Sequence, residues 1–506
     1  MLRLLRSLAR SITAAVRHDP EVERLIAAHP QVWRFLTARF DRDRPLGLRF
    51  TGGAAISLFF LFLFFGVIED LLARDPLVEA DIRIVAVAQM FRAPGLDRIM
   101  LLFTDLGNWQ VVLMGGALLS LWFALSRRWL WILALIASTA LGEGSVWALK
   151  ALFNRPRPDL VHALVPAQGA SFPSGHAFVA FAFYGLAAWF VIRLARAAWL
   201  RGLILVIALA MAAMIGVSRI YLGVHWPSDV LASFAFGMAW LAITVTLLGT
   251  APPQSADLRP FFSGGLRWAA ATGLAGLWAI GLAIYYQAHP LERRPEPPQV
   301  AVDIPESALP DALFSSASRF SEDIVGRPME PINVILIGSE TDVEKALASA
   351  GWHPTDAITL SNSWRLLGAE LFNRPYPEAP GTPSFWRGIP NLRAFERPTE
   401  SNSARERHHL HLWETPYRVG GAAVSVGTVH RDTSVTTAAG VLLPIHQIDP
   451  NVDRERDALR ENLSGSPCAA RLSLPPIIQP MMGENAIGNP FFTDGKAVLA
   501  VLGPAC

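Results

Sequence analysis

The chain has 506 residues, 52% of them hydrophobic and only 17% charged, with a formal net charge of +2. Soluble globular chains carry about 25% charged residues, and the shortfall is concentrated before residue 290, so a wholly soluble protein is excluded and two unlike halves are expected. The near-neutral balance gives no reason to expect a nucleic-acid partner.

Residues 1–50 form a basic segment, with ten arginines against five acids. Leu2, Leu5, Leu8, Ile12 and Val16 recur at helical spacing between arginines. That pattern fits a helix lying on a membrane surface and, equally, a solvated cytoplasmic helix. It lacks the continuous apolar core of a signal peptide. Seven apolar runs follow, at about 51–70, 99–125, 129–153, 177–195, 203–222, 228–249 and 267–286. Crossing a bilayer takes about 20 such residues. Arg127 and Arg128, then Arg193, Arg196 and Arg201, then Arg259 and Arg267 fall on the side of the Arg-rich N-terminus, which the positive-inside rule makes cytoplasmic. The loop expected between the first two runs carries Glu69, Asp70, Asp75, Glu79 and Asp81, which suits the outside.

The expected architecture is an all-α polytopic membrane domain over 51–250, a seventh span within 251–287, a Pro-rich linker over 288–330, and a soluble α/β or α+β domain over 331–506. In the last part, Asn333 to Ile337 reads as a buried strand, and Ser339 with Asp342 as a capping box opening a helix. His409 to Trp413 and Ala422 to Val429 alternate like half-buried strands. An odd number of spans puts this domain across the membrane from the N-terminus. There, in an oxidising compartment, Cys468 and Cys506 are able to pair.

Polar residues interrupt the spans at one face. Lys150 ends the third span, and six residues later comes Arg157-Pro158. Pro173-Ser174-Gly175-His176 opens the fourth. Ser218-Arg219 ends the fifth, followed by His225 and by Asp229 at the start of the sixth. Three cations suit a phosphate's oxygens. Ser174 stands where a helix N-cap belongs, and Gly175 lets backbone approach an anion closely. Phosphoryl transfer can use two histidines, one as nucleophile and one as acid. His225 is read as the nucleophile, Asp229, one helical turn on, as its orienter, and His176 as the general acid.

K-x6-RP, PSGH and SR-x5-H-x3-D resemble the three motifs of the type 2 phosphatidic acid phosphatase superfamily, over roughly residues 95–250. The resemblance implies a six-helix core, a phosphohistidine at His225, no metal and no cofactor, with Lys150, Arg157, Ser174, Gly175 and Arg219 binding phosphate. It further implies a bacterial inner-membrane protein acting on a membrane lipid, phosphatidate-like or polyprenyl-pyrophosphate-like, at a periplasmic site. Pro331-Ile332-Asn333, Gly351-Trp352-His353-Pro354, His408-His409-Leu410 and Ile448-Asp449-Pro450 resemble the LssY-type C-terminal domain, which is expected to recognise an envelope ligand or protein.

Blander readings stand beside these. An isolated intramembrane cation can snorkel to the interface. Arg155, two residues before Arg157, is left as either a snorkelling cation or a substrate contact. Glu143 is read as a structural or supporting acid. His409 and His411 share a strand face, but no spacing matches a zinc pattern, so no metal is expected there. The competing functions are a lipid phosphotransferase using the same intermediate, a vanadate-dependent peroxidase, and an inactive scaffold or transporter.

Overall fold

The computed structural model describes residues 19–41, 44, 46–158, 163–250, 264–290, 300–314, 318–372, 374–391, 393–400, 402–403, 405–437 and 444–503. The leucine pattern of residues 2–16 and Cys506 lie outside the described residues.

Two short helices, α1 (Pro20–Ala28) and α2 (Pro30–Phe40), precede the first apolar helix, α3 (Leu48–Ala73). Then come α4 (Pro76–Met90), α5 (Pro94–Leu106), α6 (Trp109–Leu125) and α7 (Trp129–Phe153). The continuous helical run Gly175–Leu194, α8, contains a π-helical turn at Ala180–Gly185. It is followed by α9 (Ala198–Tyr221), α10 (Pro227–Thr250) and α11 (Gly264–Ala288). Six of these helices are long and apolar enough to cross a membrane, and the bent pair α5–α6 makes a seventh span if taken as one. The run expected over 99–125 is therefore broken, with a bend of 54°. The cause is local. A Cβ on Gly107 would stand 2.6 Å from the His176 ring, so the residue that lets α8 come this close also ends α5, and Asn108 takes extended backbone angles before α6.

Among the spans α8 is the most enclosed. Its Val179, Phe183 and Phe190 pack with Phe123, Leu135 and Ile215. Phe64 of α3 stacks on Phe172 and Phe236, which fixes α3 along α10. Helix α4 falls where the sequence suggested only an acidic loop, and it buries Asp81 and Arg83.

The C-terminal part is built on a nine-stranded sheet. Its strands are β1 (Val302–Asp303), β2 (Val334–Ile337), β3 (His353–Pro354), β4 (Arg393–Pro398), β5 (Arg407–Val419), β6 (Ala422–Thr437), β7 (Pro444–Ile448), β8 (Ala469–Ser473) and β9 (Val498–Leu502). They run in the order β8-β9-β2-β6-β5-β4-β3, with β1 on β5 and β7 on β6. The stretch expected as a linker over 288–330 is thus in part structured: β1 joins this sheet, and Leu309, Leu313 and Phe314 are buried in the domain's core. All four residues of β2 are buried because the sheet is covered on both faces. Val334 and Leu336 face one apolar cluster, Ile335 and Ile337 the other, as the two-residue strand period requires. The expected capping box opens α12 (Glu340–Ser349), with the Ser339 hydroxyl accepting from the Asp342 N–H at 3.2 Å. Helices α13 (Leu360–Phe372) and α14 (Val452–Ser464) accompany the sheet, together with a four-stranded and a two-stranded sheet. Cys468 is buried in the Val334–Leu336 cluster.

Candidate active site

Pro227 begins α10, so Asp229 lies in its first turn and reaches back to the chain that precedes it. Asp229 Oδ2 accepts from the Trp226 N–H at 3.0 Å and lies 3.2 Å from His225 Nδ1. The other imidazole nitrogen, Nε2, is 3.3 Å from Arg157 Nη1. His225 is 2% exposed. Burial, together with the Arg219 and Arg157 charges, pushes its imidazole well below the ordinary histidine range, so it stays neutral at pH 7.

Arg157 is held by four carbonyls. It donates to Val224 O at 2.7 Å, to Gly169 O and Gln168 O at 3.0 Å, and to Ala170 O at 3.3 Å. Lys150 Nζ donates to the same Ala170 O at 2.7 Å. Arg219 donates to Thr104 Oγ1. On the opposite wall, His176 Nε2 is 2.9 Å from Asn108 Oδ1, and the Asn108 amide donates to Asp105 Oδ1 at 3.0 Å.

Of the residues picked from sequence, Lys150, Arg157, Gly175, His176, Arg219 and His225 line one cavity of about 970 Å³. Ser174 and Asp229 are fully buried behind it. Ser174 occupies the N-cap position of α8 but makes no capping bond, and its hydroxyl has no partner among the described residues. Tyr285 and His289, at the end of α11, also line the cavity, so the seventh apolar helix contributes to the site. A second cavity, about 820 Å³ and mostly apolar, runs between α6, α7 and α8 and meets the first at Asn108, Gly175 and His176. Glu143 lines this second cavity.

Arg155 is not a wall of the cavity. It points the other way, into a buried ion-pair chain: Nη1 donates to Asp229 Oδ1 and Nη2 to Asp81 Oδ2, each at 2.7 Å. Asp81 also accepts from the Ser228 N–H at 2.9 Å and from its hydroxyl. Sequence reasoning missed Asp81, Thr104, Asp105 and Asn108. The first lay in a presumed loop. The other three stand in or beside an apolar run with no motif around them, and only the Gly107-Asn108 pair hinted at a break.

Residues 131–252 match the PAP2 superfamily and residues 314–497 the LssY C-terminus. The chain is 31% identical over 186 residues to phosphatidylglycerophosphatase B of Bacillus subtilis, covering 35% of this chain and 88% of that protein. It is 26% identical over 200 residues to the undecaprenyl-diphosphatase of Sulfolobus acidocaldarius, covering 38% and 91%. Against lipid A 1-phosphatase of Rhizobium johnstonii it is 33% identical over 128 residues, covering 23% of this chain and 48% of the relative, about half its length. The crystal structure of the PAP2-type phosphatidylglycerolphosphate phosphatase of Bacillus subtilis matches at 26% identity with a TM-score of 0.33, covering 40% of this chain and 98% of that one. With apolar helices enclosing a histidine-and-cation cavity and a relative matched over most of its length, the chain belongs to the PAP2 superfamily of membrane phosphatases, here joined to an LssY-type C-terminal domain.

Proposed function

We propose that the protein hydrolyses a lipid phosphate or pyrophosphate through a phosphohistidine at His225. The observation that carries this reading is the meeting of a cation-lined cavity and an apolar groove at His176. A lipid phosphate has the same two parts. With its phosphate among Lys150, Arg157 and Arg219, its chain has the α6–α8 groove to enter, and the oxygen joining them falls beside His176. That oxygen is the one needing a proton when it leaves.

The neutral His225, its Nδ1–H held by Asp229, presents the Nε2 lone pair to phosphorus. A bond forms from Nε2 to phosphorus, the bond from phosphorus to the lipid oxygen breaks, and His176 gives that oxygen a proton. Water then attacks the phosphohistidine, losing a proton to His176, and phosphate leaves with His225 restored. Charge developing on the equatorial oxygens meets the three cations and the amide N–H groups opening α8, with Ser174 and Gly175 at that turn. Because protein cations supply this charge, the reaction is proposed to need no metal. The names of the relatives make phosphatidylglycerophosphate-like, lipid A-like and polyprenyl-pyrophosphate-like lipids the first substrates to try, beside the phosphatidate-like lipid that the sequence motifs suggest. Residues 51–250 are proposed as the phosphatase domain and 331–506 as the C-terminal domain, with the described residues 300–314 and 318–330 packed onto the latter; the active site and the C-terminal domain are proposed to lie on the periplasmic side of a bacterial inner membrane.

The test is phosphate release in detergent, with EDTA present, from phosphatidylglycerophosphate, phosphatidate and undecaprenyl pyrophosphate, for wild type and His225→Ala. Release by the wild type alone, with acid-labile phosphate trapped on the wild-type chain, is expected. Equal release by folded His225→Ala overturns the mechanism.

A further inference from the structure

We infer that the C-terminal domain holds a zinc-type divalent metal ion on His409, His411 and His430. The inference is independent of the phosphatase chemistry, which it neither uses nor alters.

The sheet builds the cluster. His409 and His411 are two apart on β5 and so share a face, and His430 of β6 stands directly across from His409 in the antiparallel register. One ligand atom from each ring lies within 4.8 Å of one from each of the others. The rings are 3%, 4% and 8% exposed. Three imidazoles buried together have little reason to coexist unless their nitrogens are satisfied, because buried polar atoms nearly always find partners. Here they do not: His411 Nδ1 and His430 Nδ1 are both buried without a hydrogen-bond partner among the described residues.

The surroundings match what a metal-bound histidine requires. Such a ring usually turns its other nitrogen to a carboxylate, which fixes the tautomer. His409 Nε2 is hydrogen-bonded to Glu396, and His430 Nε2 faces Asp432 Oδ1 at 3.5 Å. Asp432 Oδ2 is also 3.6 Å from His409 Nδ1 and 3.2 Å from His446 Nδ1, and His446 Nε2 in turn meets Glu370 at 3.1 Å. Among the described residues the only arginine or lysine paired with these three carboxylates is Arg407, 2.5 Å from Glu396. Asp432 and Glu370 share only the His446 ring between them, which carries at most one charge, so carboxylate remains to offset a cation held on the three imidazoles. Space is also reserved: a Cβ on Gly381 would stand 3.2 Å from His411 Cε1 and 3.4 Å from His409 Cε1, so the chain closing over the rings carries no side chain. Three imidazoles suit zinc, copper, iron or nickel, whereas magnesium and calcium prefer oxygen.

The experiment uses the untagged full chain in detergent, stripped with a chelator, reloaded with zinc or with cobalt, and desalted before elemental analysis. The expected result is about one zinc per chain and, with cobalt, the visible ligand-field bands of a low-coordinate nitrogen site. His411→Gln should lose the metal. His408→Gln should keep it, because His408 turns to Glu455 at 2.8 Å. In His430→Cys, bound cobalt should gain a thiolate charge-transfer band, which assigns the ligand from a protein that still binds. Wild type that retains none of zinc, cobalt, nickel, copper or ferrous iron overturns the inference. So does stoichiometric metal in His411→Gln, or cobalt bound to His430→Cys without the thiolate band.

Discussion

Replacing Arg155 by methionine tests whether the buried chain behind His225 matters to the reaction. The Arg155 side chain is 11% exposed, and its partners Asp81 and Asp229 are 1% and 0% exposed. Methionine keeps much of the volume but leaves two buried carboxylates without their shared cation. Breaking a buried pair in this way costs about 3–5 kcal/mol, so a marked fall in thermal stability is expected. The rate should fall as well, since Asp229 loses one of the bonds that aim it at His225 Nδ1. A hydrogen bond to a charged group is worth about 1.5–3 kcal/mol, which corresponds to roughly a 10- to 150-fold loss if all of it is felt in the transition state. The loss should lie in kcat, with KM nearly unchanged, because Arg155 does not line the cavity. Adding Asp81→Asn removes one of the stranded charges and should restore part of the stability lost in Arg155→Met. Phosphate release under saturating and limiting lipid, with thermal unfolding of the same samples, reads all of this. A folded Arg155→Met with unchanged kcat and raised KM would refute the reasoning and make Arg155 a substrate contact.

Two further outcomes follow from the site. The His225 imidazole is held below its ordinary value and reacts in its neutral form, so the acid limb of kcat/KM should fall below the ordinary histidine pKa of about 6.5. The sign is fixed. A depressed folded pKa means the unfolded chain binds the extra proton first, so lowering the pH below the ordinary value also erodes stability. A limb above that value, from a pH series of initial rates, would contradict the burial argument. Asn108→Ala removes the partner of His176 Nε2; kcat should drop about tenfold for loss of a roughly 1 kcal/mol bond plus the freedom given to the ring. If His176 serves the leaving group, a lipid substitute with a good leaving group such as nitrophenol should be far less affected than the natural ester, which initial rates on both substrates will tell.

The main features of this fold were readable because membranes and phosphates constrain sequence strongly. A span must be apolar over its length, and the three motif segments had to converge once the spans were oriented. Lys150, Arg157, Gly175, His176, Arg219 and His225 do line one cavity. The unreadable parts share a physical cause: they are defined by partners far along the chain. Asp81 looked like one of several loop acids until Arg155 and Ser228, more than 70 residues away, closed on it. Asn108 interrupts an apolar run as an ordinary polar residue would, and only the approach of His176 gives it meaning. Arg155 and Arg157 are chemically alike and two residues apart, yet the chain between them turns one toward the α10 start and the other toward the cavity. In the C-terminal domain, His409 and His411 were visible as a pair, but His430 joins them only through the pairing of β5 with β6.

Helix α4 is where these long-range partners come together. It is too short to span a bilayer and carries charge on two sides, since residues 81 and 83 stand about 200° apart around a helix. Asp81 faces the start of α10, where it holds Arg155 and Ser228. Arg83 faces away and pairs with Glu322 at 2.5 Å, and Glu322 also accepts from the Gly388 N–H at 3.2 Å. Both side-chain partners of that second pair are nearly enclosed, at 8% and 12% exposure, so it is unlike a surface ion pair, which contributes little. A buried charge is tolerated only where it is paired, and each face of α4 is therefore held to its own oppositely charged partner, Arg155 on one side and Glu322 on the other. Glu322 and Gly388 of the C-terminal part thus rest on the same helix that props the acid behind His225, so the Arg83–Glu322 pair and the Asp81–Arg155 pair share one support.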